Sequence, residues 1–188
     1  KTNFVMNQSL SAQIKTQTSE IDEKIRRILI TKQVLKNSKI VCLDVDSTVC
    51  KDEGLDELAR HCGVYKEIQR FTNMAMGGNM LFEKSFEARL NIIKPSRDTL
   101  KQFIKKNPPK LTNGVKKFVN TLHKMGKTVY LVSGGIGDII KPVAKELGID
   151  DGNIYANNLF FDVNTGEYRD FDKNKYTSKT GGKKKVIF

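Results

Sequence analysis

Residues 40–48 read Ile40-Val41-Cys42-Leu43-Asp44-Val45-Asp46-Ser47-Thr48. A short, nearly unbroken apolar run followed by carboxylates is the pattern of a strand buried on both faces of a parallel sheet, with polar residues emerging at its C-terminal end. The same pattern recurs downstream. Thr128-Val129-Tyr130-Leu131-Val132-Ser133 reads as a second buried strand, running into Gly134-Gly135 and then a helix with Ile139, Ile140, Val143 and Leu147, closed by Gly148. Thr112 is placed to cap an intervening helix through Val115, Phe118, Val119 and Leu122. Ile154-Tyr155-Ala156 is a third strand, and residues 159–171 alternate around Asn164-Thr165-Gly166 as a hairpin. Strand, helix, strand, helix, strand predicts an α/β fold with a Rossmann-like parallel sheet in a three-layer core and right-handed crossovers. Residues 53–106 read as helical, with a break at Met74–Gly78, and are inserted directly after the first strand. Upstream, Ile21, Ile25, Ile28, Leu29 and Leu35 recur at helical spacing from Ser19 to about Lys36. Residues 1–23 are expected to form a flexible leader.

The 188 residues suit one domain with a modest insertion. At 38% hydrophobic and 29% charged, the chain can bury a core. No run reaches the ~20 apolar residues of a membrane span, and no signal-peptide pattern opens the chain. Three cysteines without a C-x-x-C pair and two histidines leave little for a zinc site, so a reducing compartment is expected. That compartment is the cytoplasm, or a plastid or mitochondrion if residues 1–23 belong to a transit peptide. Thirty-three Lys and Arg against 21 Asp and Glu give a net charge of +12. Residues 173–185 alone carry six lysines and no acid, so basicity describes the ends of the chain. Neither a nucleic-acid nor a membrane partner is expected; a homodimer is compatible.

Asp44 and Asp46 lie two apart, so on a strand they point the same way and repel unless a cation or hydrogen-bond donors compensate. Mg²⁺, which takes hard oxygen ligands, suits such a pair; the alternative is one Asp capping a turn and the other solvated. An EF-hand fails, because its sixth and twelfth positions would be Val49 and Leu55. Ser133-Gly134-Gly135 offers a hydroxyl and unencumbered N–H groups at a helix N-terminus, a phosphate cradle. Neither a Walker A loop nor G-x-G-x-x-G occurs. Lys183, after Gly181-Gly182, can neutralise a phosphate, or belong to a solvated basic tail.

Together these residues resemble the haloacid-dehalogenase superfamily, and within it the phosphoserine phosphatases. The likeness is carried by Leu43–Val49 and Asp52–Ala59, and by Met74-Ala75-Met76-Gly77-Gly78, Arg89-Leu90 and Pro95-Ser96-Arg97. It continues through Val132–Gly135, Ala156-Asn157, Gly166-Glu167-Tyr168 and Gly181-Gly182-Lys183, so that about residues 24–188 are covered. The resemblance implies a core of residues 24–50 and 107–188 with a helical cap over 51–106. It also implies Mg²⁺-dependent hydrolysis of O-phosphoserine to L-serine and phosphate, the last step of serine biosynthesis. Asp44 would be the nucleophile, Asp46 the general acid and base, and Mg²⁺ would sit on the Asp44 carboxylate and the Asp46 backbone carbonyl. Ser133, Gly134 and Lys183 would hold the phosphoryl group, Glu53 the substrate ammonium and Arg89 its carboxylate, with Met76 and Gly77 lining the pocket. The family's fourth motif, G-D-G-x-x-D, does not occur before Phe188. The sequence is therefore expected to be a piece of a longer enzyme, with the first strand exposed, folding poorly and binding Mg²⁺ weakly. The alternatives are an inactive truncated paralogue acting as a binding module, and a phosphatase of another small phosphomonoester.

Overall fold

The computed structural model describes residues 2–78 and 80–187, the side chains of residues 2–19, 75 and 76 excepted. The chain divides into two units, Lys1–Lys39 and Ile40–Phe188. The first is one helix, α1 (Thr2–Asn37). The backbone of the expected leader is helical from Thr2 onward, with neither glycine nor proline to interrupt it. Ile21, Ile25, Ile28 and Leu29 do form a helical stripe, and each is exposed.

The second unit is built on a parallel sheet in the order β1 (Ile40–Leu43), β2 (Thr128–Ile136), β3 (Ile154–Asn157). Val41 pairs with Val129, and Leu131 with both Leu43 and Ile154. Val129 and Leu131 share one face by the two-residue period and are buried, as are Val119 and Leu122 of α6 (Val115–Lys124) and Ile140, Val143 and Ala144 of α7 (Gly137–Leu147). Gly114 with positive φ, not Thr112, precedes α6. Lys116 of α6 pairs with Glu146 of α7 at 3.6 Å, so both crossover helices cover the same face. The opposite face carries Cys42, Tyr130 and Tyr155 and is half-open; Ile40 at the sheet edge is 55% exposed.

Between β1 and α6 the chain inserts four helices: α2 (Gly54–His61), α3 (Tyr65–Met76), α4 (Phe82–Ile93) and α5 (Arg97–Lys106). The two connections to the sheet are zipped together, with Lys51 N donating to Lys110 O and Thr112 N to Val49 O. Ser96 caps α5 through Thr99 N. The apolar faces of these helices, with Leu58, Ile68, Phe86 and Leu90 fully buried, form one core with Ile136, Leu159 and Phe171. The last two belong to the antiparallel hairpin β4 (Leu159–Phe161) and β5 (Tyr168–Phe171). A short helix, α8 (Gly182–Ile187), completes the described unit.

Candidate active site

In a parallel sheet the carboxyl ends of all strands lie on one edge, and here each strand delivers polar residues to that edge. Past β1 the chain turns sharply over Val45–Val49, with Ser47 in the left-handed region (φ 53°). That turn separates Asp44 from Asp46. Asp44 accepts from Val45 N at 2.8 Å and pairs with Lys183 Nζ at 2.7 Å. Asp46 accepts from Gly54 N, the first residue of α2, at 2.8 Å and from Ser133 Oγ at 3.2 Å. Burial raises the proton affinity of the Asp46 carboxyl above that of an ordinary Asp; the Gly54 N–H opposes this, while the Glu53 and Asp44 charges add to it.

The second strand departs from the expected strand–loop–helix junction. β2 continues through Ser133-Gly134-Gly135 to Ile136, and α7 starts only at Gly137. Along this stretch four residues of β2 advance against two of β3, from the Val132–Tyr155 pair to the Ile136–Asn157 pair. The cradle is therefore a bulged strand end and not a helix N-terminus, a geometry that re-aims backbone toward a site. A Cβ at Gly134 would lie 2.7 Å from Phe82 Cζ, and one at Gly135 2.9 Å from Asp46 Oδ2. A larger residue at either position would have to displace the Phe82 ring or the Asp46 carboxylate. Ser133 is fully buried, and its hydroxyl also accepts from Gly135 N at 2.8 Å.

Lys183 is set by the two glycines before it. Gly181 has φ 69°, and a Cβ at Gly182 would fall 1.6 Å from Tyr176 O. Of the lysine-rich stretch, Lys183 is the residue paired with Asp44; Lys184 and Lys185 are exposed. Thr180 just upstream bridges to α4, accepting from Phe82 N at 3.0 Å and donating to Glu83 Oε2 at 2.7 Å.

One cleft of about 640 Å³ is bordered among others by Asp44, Asp46, Glu53, Arg89, Gly134 and Lys183, while the buried Ser133, expected to hold the phosphoryl group, does not border it. Glu53 accepts from Ser47 Oγ at 2.6 Å. Arg89, 8% exposed, donates to Ser85 O at 3.3 Å and Thr72 Oγ1 at 3.4 Å, with Asp56 Oδ1 3.8 Å away. Burial lowers its pKa, opposed by Asp56, Glu53 and Asp46. The guanidinium stays charged regardless. Gly77 is exposed and donates to Asn73 O; among the described residues it is Gly78 that borders the cleft. The Met76 side chain lies outside the described residues. The sequence reading missed Thr72, Phe82 and Thr180. Phe82 was detectable, standing two helical turns before Arg89 on the same face.

Two carboxylates, a bulged glycine stretch and a lysine thus converge at the C-terminal ends of a parallel sheet, an arrangement of the hydrolase class. The chain belongs to the haloacid dehalogenase-like hydrolases, whose family model matches residues 38–174. Within that family it is similar to phosphoserine phosphatases. It is 49% identical over 158 residues to the phosphoserine phosphatase of Drosophila melanogaster, covering 84% of this chain and 58% of the relative. The chain thus spans somewhat over half the length of that relative. A phosphoserine phosphohydrolase-like protein from Francisella tularensis superposes with a TM-score of 0.68 at 29% identity, covering 80% of this chain and 74% of that one. A phospho-aspartyl intermediate analogue of phosphoserine phosphatase superposes with a TM-score of 0.60 at 31% identity, covering 70% and 60%.

Proposed function

We propose that the protein is a phosphoserine phosphatase, releasing L-serine and inorganic phosphate from O-phosphoserine through an aspartyl-phosphate. The observation that carries this reading is the 2.7 Å Asp44–Lys183 pair in the same cleft as the buried Arg89. A carboxylate oxygen of Asp44 attacks phosphorus, and the bond from phosphorus to the serine oxygen breaks. Asp46 gives its proton to that oxygen and then takes one from the water that attacks the aspartyl-phosphate, freeing Asp44 and phosphate. The raised proton affinity of Asp46 supports the first of these steps. Gly134, the Ser133-oriented cradle and Lys183 balance the charge of the non-bridging oxygens. Glu53 receives the ammonium and Arg89 the carboxylate, the latter as a charge-assisted pair. The Asp44 carboxylate borders the cleft and suits Mg²⁺, an ion that keeps several waters and needs no more than one or two carboxylates. Held by the Asp44 carboxylate and the Asp46 carbonyl, it would supply further charge neutralisation at the phosphoryl group. Three free cysteines suit a reducing compartment, the cytoplasm being the simplest. Among the described residues no helix is long and apolar enough to cross a membrane.

In the full-length protein with Mg²⁺, Asp44→Asn lowers phosphate release from phosphoserine on the order of 10⁴-fold or more, with an unchanged circular dichroism spectrum. Turnover retained by this variant overturns the mechanism.

A further inference from the structure

Asn157 closes β3 at the same edge of the sheet as Asp44 and Ser133, and it is 0% exposed. It does not border the cleft, yet its amide is fully engaged with two other segments. Nδ2 donates to Gly134 O at 2.8 Å and, more weakly, to Thr177 O at 3.4 Å, while Oδ1 accepts from Thr177 Oγ1 at 2.7 Å. The carbonyl of Gly134 and the N–H of Gly135 belong to one planar peptide, so holding the first aims the second. That N–H donates to Ser133 Oγ, which leaves the hydroxyl proton to point at Asp46 Oδ2. Both residues flanking this peptide are glycine, with Phe82 Cζ and Asp46 Oδ2 standing within 3 Å of where their Cβ atoms would lie. The peptide at the heart of the cradle therefore has the least intrinsic conformational preference and takes its orientation from a partner. At its other end the same amide grips buried Thr177, on the segment that leads through Gly181-Gly182 to Lys183.

We infer that Asn157 is a positioning residue: it orients the Gly134–Gly135 peptide and, through Thr177, holds the phosphate cradle in register with the segment that carries Lys183. The inference rests on the reading that the phosphoryl group binds at this cradle. A small tilt of that peptide would misdirect both the backbone and the Ser133 hydroxyl, and displacements of this size cost a large share of a rate.

The test uses the full-length protein with Mg²⁺ and two uncharged near-isosteres, Asn157→Leu and Thr177→Val, beside the conservative Thr177→Ser. The readouts are kcat and KM for phosphoserine, the affinity for inorganic phosphate by calorimetry, and Tm. In folded Asn157→Leu and Thr177→Val we expect phosphate affinity and kcat each to fall roughly tenfold or more, while Thr177→Ser stays within about twofold of the parent. A purely structural role would lower Tm but leave both quantities unchanged in the folded protein, and that result overturns the inference. If Asn157→Leu does not fold, the Thr177→Val and Thr177→Ser pair decides alone. If the parent protein releases no phosphate from phosphoserine, the functional reading falls separately. The calorimetric comparison then still judges the inference, equal phosphate affinities refuting it.

Discussion

Asp46 is the residue at which burial and charge are most directly opposed. Desolvation favours its neutral form against the Gly54 N–H and Ser133 hydroxyl that favour the charged one. Its proton affinity is higher folded than unfolded, so between the ordinary carboxylate pKa and the raised one the native state binds more protons, and this group's contribution to stability declines as pH rises. Asp46→Asn removes that dependence. Measured without divalent metal, the variant's Tm relative to the parent should increase from acid toward neutral pH and then level off. The same variant should lose roughly 10²–10⁴-fold in kcat for want of a proton donor. A pH-independent Tm difference would sink the assignment of Asp46 as a desolvated carboxyl. Under the proposed function, Arg89 is the residue that would set selectivity. Arg89→Met is expected to lower kcat/KM for phosphoserine roughly 10²-fold while leaving a carboxylate-free phosphomonoester such as phosphoethanolamine within a few-fold, read from paired steady-state kinetics.

The elements earn their places by what they bring to the sheet edge. The β2 bulge turns the backbone of Ser133–Gly135 toward Asp46, and the N-terminus of α2 meets the same carboxylate through Gly54. The loop before α8 is held between Tyr176, which closes against Gly182, and Glu83 of α4, which receives both Thr180 donors. Gly182→Ala must displace backbone, since the nearest atom is the Tyr176 carbonyl. A loss of ~1–3 kcal/mol is expected in urea denaturation, with a fall in kcat as Lys183 shifts. Gly152→Ala, with nothing within 4 Å of its added Cβ, serves as the control and should stay within about 0.5 kcal/mol.

Across the whole of residues 40–188, the inserted helices and the hairpin share one core. Phe86 of α4 stands edge-on to Phe171 of β5 with ring centroids 5.0 Å apart, and it is 1% exposed. Lys173 reaches Glu87 of the same helix at 2.9 Å. Phe86→Ala should cost ~3–5 kcal/mol, a large part of an ordinary domain's stability. Because α4 also carries Arg89, KM for phosphoserine should rise before global unfolding; chemical denaturation and steady-state kinetics on one preparation would check both. A KM unchanged alongside the stability loss would show that α4 is not held by this contact.

Strands, crossover helices and the inserted helical block were legible in the sequence because each follows from a local period, two for a half-buried strand and about 3.6 for a helix face. Asp44, Asp46 and Lys183 were legible as residue types of the cleft too, since the first two follow the apolar run of β1 and the last follows Gly181-Gly182. The bulge that carries β2 through Gly135 was not, because it depends on register against β3. Nor was the helical backbone of residues 2–18, where no strong apolar period stands out. Thr180 meets Glu83 across 97 residues of chain, and Asn157 meets Thr177 across 20. Phe82 lies over Gly134 through packing between separate elements. Such partners have no sequence period, because distant segments meet only once the apolar faces are buried, and tertiary packing alone decides them.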